Sequence, residues 1–168
     1  LNCGIGSRDE SSRVKNNLEL VAKKLKISKD ELVLMNQTHS NQVEFIENKN
    51  NLKRVKSDAI LTKNKSIALG VLTADCAPIL IYEIEKEIIG SIHAGWKGAL
   101  NGIIENTIKK IQDLGGSSKK LLACVGPCIA QNSYEVKEDF YLMFTKETKK
   151  NESFFSKNQK KTFNFDLR

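Results

Sequence analysis

The sequence predicts an α/β domain of mixed α+β type, with a central mixed sheet flanked by helices. Segments rich in Ile, Leu and Val follow one another between residues 57 and 94, which is typical of buried strands. Amphipathic segments with the 3.6-residue spacing of helices lie on both sides of that block. Because several predicted strands follow one another directly, a simple alternation of strands and helices is excluded. The 168 residues suffice for a single domain, 1–168, with a sizeable core.

The first half of the chain contains one predicted helix and six predicted strands. Residues 9–26 repeat apolar side chains, among them Val14 and Leu18, at helical spacing. Short apolar segments separated by polar turns predict strands at 31–37, 41–47, 57–63, 66–74, 77–84 and 87–94.

The second half begins with a glycine-rich turn that opens a predicted helix. Residues 95–116 place Ile103 and Ile111 on one helical face, and Gly115 with Gly116 ends this helix. The remaining predicted elements are a strand at 120–127, a helix at 133–147, a loop at 148–161 and a strand or turn at 162–168.

Composition and charge argue against several classes of function. No apolar run approaches the ~20 residues of a membrane span, and there is no signal peptide, so we expect a cytoplasmic protein without a membrane partner. The net charge of +7 comes from lysines spread along the chain, mostly without interleaved aromatic residues, which argues against nucleic-acid binding. The four cysteines do not suggest a disulfide scaffold. The chain opens without Met and stops within a strand pattern, so we expect it to be incomplete at both termini.

Two histidines and one cysteine occur where predicted strands give way to polar turns. His39 lies in "NQTHSNQ", His93 in "SIHAGWKG" and Cys76 in "TADCAP". Strand ends are where α/β folds place their sites, and this ligand set suits Zn²⁺ with a fourth position left open. The long spacings between the three residues match no local metal motif, however. Three separate structural residues therefore remain an equal alternative on these grounds.

The turn "HAGWKG" is the second candidate feature, because two glycines flank an aromatic residue and a lysine just before a helix. A helix start presents free backbone N–H groups and the positive end of the helix dipole to an anion. Lys97 would add a point charge that suits phosphate. Such turns are common, but the adjacent His93 and the single tryptophan, Trp96, make this one more informative.

Five motifs together identify a family resemblance. They are "NQTHSNQV", "SDAI", "LTADCAPILI", "HAGWKGALNGIIENTI" and "VGPCIAQNSYEV", and the opening "NCGIGSRDESSRVKNN" agrees with them. The chain closely resembles the YfiH family, also called the laccase-domain or polyphenol-oxidoreductase-like family, from Asn2 to about Val136. The resemblance implies a fold related to cysteine hydrolases of the cytotoxic-necrotizing-factor type. It also implies a metal site formed by His39, Cys76 and His93, in agreement with the trio above.

The resemblance further implies a zinc-dependent purine nucleoside phosphorylase. The expected substrates are phosphate and adenosine, inosine, guanosine or methylthioadenosine, with adenosine deaminase activity in some members. An older family description as copper laccases, and hence as polyphenol oxidases, fits poorly. A multicopper oxidase needs several copper centres, which two histidines cannot supply. We therefore expect Zn²⁺ rather than copper; a homodimer is compatible with this assignment.

Several further residues receive hypothetical roles at this site. Asp75 is a candidate general acid or base, with a turn or cap residue as the equal alternative. Trp96 is a candidate for stacking on the purine, with a place in the core as the blander alternative. The candidate substrate contacts also include Asn2, Gln37 and Gly98, and Lys97 is the candidate phosphate contact. Asp58, in "SDAI", is expected to hydrogen-bond a strand end rather than perform chemistry.

Two departures from the family pattern and two competing functions remain. Many relatives carry an arginine where this chain has Leu18, so Arg8 or Arg13 would have to replace it, and the late C-terminal segments of the family are absent. One competitor is a cysteine hydrolase or deamidase, with Cys76 as nucleophile and His93 as base. The other is a metal-binding domain without catalysis.

Overall fold

The computed structural model of the chain describes residues 1–48, 55–158 and 162–168. The strands of these residues are β1 (Leu32–Leu34), β2 (Val43–Phe45), β3 (Ala59–Thr62), β4 (Ala68–Gly70), β5 (Ala77–Glu83), β6 (Ile88–Ala94), β7 (Leu121–Val125), β8 (Glu135–Val136), β9 (Phe155–Lys157) and β10 (Phe163–Phe165). The α-helices are α1 (Ser11–Lys24), α2 (Trp96–Leu100), α3 (Ile103–Asp113) and α4 (Glu138–Glu147). Among these helices, none is long and apolar enough to cross a membrane.

A five-stranded mixed sheet forms the centre of the domain, with strand order β2-β3-β6-β5-β7. Strands β2 and β3 pair in parallel, and the other neighbours pair antiparallel. Hairpin-connected β5 and β6 lie in the middle, so Ile88 and Ile92 are fully buried. The predicted central mixed sheet is confirmed, and its alternating side chains leave two faces to be covered.

Different elements cover the two faces of this sheet. On one face, helix α3 places Ile103 and Ile111, both fully buried, in a cluster with Leu61 and Ile92. On the other face, Ile60 belongs to a second cluster. Its other buried members are Val33, Met35, Ile46 and Ile67. Val33, Met35 and Ile67 come from the small parallel sheet β1-β4 and the residues next to it, whereas Ile46 directly follows β2.

An aromatic cluster beside the main sheet joins helix α4 to the three-stranded sheet β8-β10-β9. Phe144 is 4% exposed at its centre, and its ring stacks on Phe140 with centroids 4.9 Å apart. Trp96, from the start of α2, meets Phe140 edge to face at 5.0 Å. This cluster therefore ties the glycine-rich turn after β6 to the C-terminal part of the domain.

Three predicted elements are wrong in detail. The helix predicted at 95–116 is two helices, because Gly102 adopts φ +80° between α2 and α3, a left-handed conformation that ends a helix. The helix predicted at 133–147 begins only at Glu138, because the preceding Glu135–Val136 pairs with β10. The loop predicted at 148–161 contains β9, which also pairs with β10; residues 159–161 lie outside the described part of the chain.

The strand predicted at 66–74 is shorter in the structure than predicted, and the cause of its early end lies close to Cys76 in the chain. Strand β4 ends at Gly70, and the backbone of Leu72 pairs with a side chain instead of a strand. The Gln37 amide donates to the Leu72 carbonyl at 2.7 Å and accepts from the Leu72 N–H at 3.0 Å. The Gln37 amide therefore satisfies the backbone N–H and C=O of Leu72, which a neighbouring strand would otherwise pair. The chain can then leave the sheet and turn toward Cys76.

Candidate metal centre

The pairing of β6 with both of its neighbours determines which residues meet at one edge of the main sheet. Ala77 at the start of β5 pairs with Ala94 at the end of β6, so Cys76 and Gly95 follow at the same edge. On the other side of β6, the His93 backbone N–H donates to the Asp58 carbonyl at 2.7 Å. The ends of three strands therefore converge, as the sequence analysis expected for a site in such a fold.

The predicted trio of His39, Cys76 and His93 is brought together at this edge. Their candidate ligand atoms all lie within 4.8 Å of one another, and the Cys76 Sγ is 3.8 Å from the His39 Nε2. Two ligand atoms held tetrahedrally by one zinc ion lie roughly 3.6 Å apart, given usual Zn–N and Zn–S distances. The separation of the sulfur and the nitrogen therefore suits a shared metal.

The three candidate ligands differ in their solvent exposure. His93 is 3% exposed, Cys76 is half-buried, and His39 is exposed. The two imidazole rings meet edge to face, with centroids 4.8 Å apart. The candidate site is therefore open to solvent on the His39 side, while His93 lies within the sheet.

Asp58 lies behind both histidines and is fully buried. Its Oδ1 accepts from the His93 Nδ1 at 2.8 Å and from the His39 backbone N–H at 3.0 Å. Its Oδ2 accepts from the Ser40 backbone N–H at 2.7 Å and from the Ser40 hydroxyl at 2.6 Å, and the Thr38 N–H adds a longer bond. The expectation that Asp58 hydrogen-bonds near a strand end is correct, but its partners include both histidines of the candidate metal site.

The hydrogen bonds around Asp58 define its ionisation. Burial alone raises the pKa of Asp58, but hydrogen bonds from Ser40, His93 and the Thr38 backbone outweigh burial and lower the pKa to about 2. An ionised carboxylate can only accept hydrogen bonds, so Nδ1 of His93 carries the proton. In the neutral imidazole with this tautomer, Nε2 is the nitrogen that can bind a cation.

Cys76 is in the opposite electrostatic situation. Burial raises the pKa of its thiol, and the negative charges of Asp75 and Asp58 raise the pKa further. A thiol in such surroundings keeps its proton at neutral pH unless a cation takes the place of that proton. A metal bound at Cys76 would therefore have to displace this proton, since metal binding and deprotonation are coupled.

His39 has an unusual backbone conformation, with φ +58°. A non-glycine residue in the left-handed region is strained by about 1–3 kcal/mol and persists only where its surroundings impose it. Here the backbone N–H groups of Thr38, His39 and Ser40 all point at Asp58. Residues 38–40, here called the ligand loop, therefore surround one buried carboxylate.

Gly95 leaves the space that a metal at this site would need. A Cβ added there would lie 2.8 Å from His39 Cδ2 and 2.9 Å from Cys76 Sγ. The backbone of Gly95, at φ −79° and ψ 165°, is one that any residue adopts, so its missing side chain and not its flexibility is what matters. The residues around the site fit a metal held by two nitrogens and one sulfur, a set that suits zinc.

The other candidates from the "HAGWKG" turn lie close by. Gly98 is buried, and a Cβ there would be 3.1 Å from the Ser40 carbonyl oxygen, so α2 packs directly on the ligand loop. Lys97 is exposed, and its Nζ lies 5.3 Å from the centroid of the Trp96 ring. Trp96 itself is half-buried in the aromatic cluster, which is the blander of the two places considered for it.

Among the remaining predicted contacts, the side chains of Asn2 and Gln37 are engaged with protein groups. Asp75 is exposed beside Cys76, and its backbone carbonyl accepts from the Ile129 N–H at 2.9 Å. Asn2 forms part of an N-terminal turn through bonds to Ser7 and Gly4. Both polar atoms of the Gln37 amide are paired with Leu72, as described above. Substrate contacts from these side chains stay predictions.

Leu18, where the family resemblance led us to expect an arginine, is part of the core. Leu18 is 6% exposed on α1, so its side chain faces the protein interior. Arg13 is paired with Glu10 at 3.0 Å on the surface. The adjacent Asn17 donates to the Asn2 carbonyl at 2.7 Å, which fastens the N-terminal turn to α1.

Sequence reasoning missed the role of Gly95. Gly95 was part of the quoted turn but had no role of its own, because its role depends on the ligands across the sheet. Tyr134 belongs to the aromatic cluster, and burial raises the pKa of its phenol.

The fold and the site define the class of this protein: an α/β domain with a candidate single-metal site of two histidines and one cysteine. Comparison with known proteins then gives its family. The family model described as multi-copper polyphenol oxidoreductase laccase matches residues 1–168, so the chain belongs to that family. The predicted YfiH-type membership is thereby confirmed.

Solved structures and named relatives agree with this assignment. A crystal structure of a Neisseria meningitidis protein of the DUF152 family has a TM-score of 0.85 and 26% identity, covering 99% of this chain and 66% of that one. The YfiH protein of Bacillus licheniformis has the same fold, with a TM-score of 0.89 and 24% identity. A Rickettsia conorii protein named purine nucleoside phosphorylase is 36% identical over 157 residues, which are 90% of this chain and 64% of that protein. A Rickettsia prowazekii protein of the same name is 37% identical over 138 residues, which are 82% of this chain and 56% of that protein.

Proposed function

We propose that the chain binds Zn²⁺ through His39, Cys76 and His93 and that this site serves the phosphorolysis of purine nucleosides. The observation that carries the proposal is the convergence of these three side chains around the space left by Gly95. The names of relatives 36% and 37% identical support the reaction class. Because the chain spans 64% of the Rickettsia conorii relative, the activity is tested on this chain directly.

The proposed reaction exchanges one bond at the anomeric carbon for another. A phosphate oxygen forms a bond to C1′ of the ribose while the bond from C1′ to the purine nitrogen breaks. The electron pair of that bond leaves with the purine, which takes up a proton, and the sugar becomes ribose 1-phosphate. Such transfers pass through a transition state with oxocarbenium character. Zn²⁺ at the site would supply a Lewis acid for an oxygen ligand.

Residues around the trio would bind and orient the two substrates. The exposed ammonium group of Lys97 follows Gly95 by two residues and would hold a phosphate oxygen as a point charge. Asp75, exposed beside Cys76, would act as a carboxylate that accepts a proton from the attacking phosphate and passes it to the leaving purine. Trp96 is half-buried in the aromatic cluster, and the exposed part of its ring would stack on the purine. Asn2, Gln37 and Gly98 are retained as proposed substrate contacts.

The ligand chemistry favours zinc over copper. A multicopper oxidase needs several centres, and the chain has two histidines, both at this one site. The same ligands would also suit hydrolytic deamination of adenosine, in which water adds at C6 and ammonia leaves to give inosine. Zinc deaminases likewise combine histidine and cysteine ligands. Deamination is therefore the second candidate activity.

A cysteine hydrolase is the competing function, and one contact favours it. The Asp58–His93 hydrogen bond of 2.8 Å would orient an imidazole base toward the Cys76 thiol. A thiolate engaged by a metal is poorly placed to act as a nucleophile in this way. The two proposals therefore make opposite statements about Cys76 in the protein as purified.

The test begins with the protein purified without chelator. We expect about one zinc per chain, and Cys76→Ala should lose it. With adenosine, we expect adenine and ribose 1-phosphate to form only when phosphate is added; inosine formed without phosphate would identify the deaminase instead. A metal-free protein whose Cys76 is rapidly alkylated would overturn the zinc proposal in favour of the cysteine hydrolase.

A further inference from the structure

We propose that Asp58 is the positioning residue of the metal centre: its single carboxylate fixes both histidine ligands and thereby determines the affinity for the metal. The inference rests on the metal binding of the proposed function and not on its nucleoside chemistry. It departs from the expectation that Asp58 merely hydrogen-bonds a strand end.

The two oxygens of Asp58 hydrogen-bond to two separate parts of the chain, His93 in β6 and the loop of residues 38–40. Oδ1 is shared by the ring of His93, at 2.8 Å, and the backbone N–H of His39, at 3.0 Å. Oδ2 binds Ser40 through both its backbone N–H, at 2.7 Å, and its hydroxyl, at 2.6 Å. One fully buried group therefore connects strand β6 with the loop that carries the exposed ligand.

Each histidine depends on this carboxylate for a different property. For His93, the bond to Nδ1 fixes the ring orientation and presents Nε2 to the site. For His39, the three consecutive N–H groups bound to Asp58 hold the backbone at φ +58°. Without the carboxylate, His39 would relax to an ordinary conformation and its ring would leave the neighbourhood of Cys76.

An amide cannot replace this carboxylate, although it has almost the same shape. In Asp58→Asn, one oxygen becomes an NH₂ group, which can only donate. If the NH₂ group faces Ser40, it meets the Ser40 N–H; if it faces the other way, it meets the His39 N–H. Either orientation sets donor against donor in a buried place, so one side of the ligand set must shift.

A second buried carboxylate supplies a matched control. Glu83 is also fully buried, and it accepts backbone N–H bonds from Lys86 at 2.6 Å and Ser117 at 3.2 Å. It lies at the end of β5 remote from Cys76. Glu83→Gln therefore disturbs a comparable network in the same sheet without contact to any metal ligand.

The experiment measures zinc affinity by competition with a chromogenic chelator, together with the absorption spectrum of bound Co²⁺. We expect Asp58→Asn to bind zinc about 10–100-fold more weakly, the usual effect of losing a partner behind a metal ligand. The Co²⁺ spectrum should keep its thiolate band from Cys76 but change in the region that reports geometry. For Glu83→Gln, we expect a lower melting temperature with unchanged zinc affinity and spectrum.

Ser40→Ala keeps the test decisive if Asp58→Asn does not fold. It removes one 2.6 Å bond to Oδ2 and leaves the charge, and we expect a several-fold loss of zinc affinity. Unchanged affinity in the folded Asp58→Asn, or in Ser40→Ala when the other variant is unfolded, would overturn the inference. An equal loss in Glu83→Gln would also overturn it, since affinity would then follow stability in general. A wild-type chain that binds zinc but does not cleave nucleosides would overturn the proposed function alone.

Discussion

Replacing Gly95 with alanine should prevent zinc binding at the candidate metal centre without destabilising the fold. The added Cβ would lie 2.8 Å from His39 Cδ2 and 2.9 Å from Cys76 Sγ. The backbone at φ −79° accepts alanine without strain. The change therefore acts on the space between the ligands and leaves the chain direction untouched.

The size of the effect follows from these two distances. Carbon atoms make favourable contact at about 3.5–4.0 Å, so the ligands must retreat by roughly 0.7–1 Å. Metal sites tolerate changes of only about 0.2 Å in ligand distance, so the displacement is several times too large. We expect zinc affinity to fall by at least on the order of 100-fold, the upper end of what a change behind a ligand costs.

The metal-free protein should respond in the opposite direction. His39 is exposed, and its ring can turn away without opening a cavity. Alanine at an unstrained glycine position stabilises a protein by about 0.4–1 kcal/mol, because the unfolded chain has less freedom. The free energy of unfolding of the metal-free variant should therefore equal or slightly exceed that of the metal-free wild type.

Gly90→Ala is the matched control, because its steric conflict is in the core. A Cβ at Gly90 would be 2.5 Å from Cδ2 of the fully buried Leu61. We expect it to lose about 1–3 kcal/mol of stability, as overpacking does, and to bind zinc normally. Urea denaturation and zinc competition measure both quantities for each variant. If Gly95→Ala bound zinc as tightly as the wild type, the assignment of the metal to this space would be refuted.

Three further perturbations separate the fold from the site. Phe144→Ala should lower the free energy of unfolding by about 3–5 kcal/mol in urea denaturation, because Phe144 is 4% exposed in the aromatic cluster. The variant should still bind one zinc per chain, and a smaller loss of stability would mean that the cluster contributes little. Lys97→Gln should raise the KM for phosphate by on the order of 10-fold without changing zinc affinity, and an unchanged KM would remove Lys97 from the phosphate site. The pKa of Asp58, lowered from 3.8 to about 2, contributes about 2 kcal/mol of stability. That contribution is complete above about pH 5 and is lost as the pH falls through 2, so acid unfolding of metal-free Asp58→Asn should lack this slope.

The sequence allowed the main sheet to be predicted because its strands carry their own signal. The Ile-rich segments at 77–84 and 87–94 became β5 and β6 with bounds that shifted by at most one residue. Strand β9 was missed because Phe155–Lys157 is short and lies in polar surroundings, and its pairing partner β10 comes later in the chain. The break at Gly102 was missed because a single glycine within an apolar helical pattern is usually tolerated.

The ligands were predictable in type but not in arrangement. His39, Cys76 and His93 attracted attention as scarce metal-binding side chains at strand ends, and the family motifs connected them. Asp58 was assigned to a strand end because an isolated acid beside a strand usually has that role. Its function depends on His93 and Ser40, residues distant in sequence, so only the folded chain reveals it.

The arrangement of the candidate metal centre is ultimately a consequence of strand register. Ala59 pairs with Ile92 and Ala77 pairs with Ala94, so one step further along, Asp58 lies across from His93 and Cys76 lies across from Gly95. A slip of one residue in either ladder would move these side chains to the opposite face and separate each pair. The buried apolar residues of β3, β5 and β6 prevent such a slip, because it would expose the core. The core therefore determines the site, and core substitutions that preserve the register should weaken the fold while leaving the ligands in place.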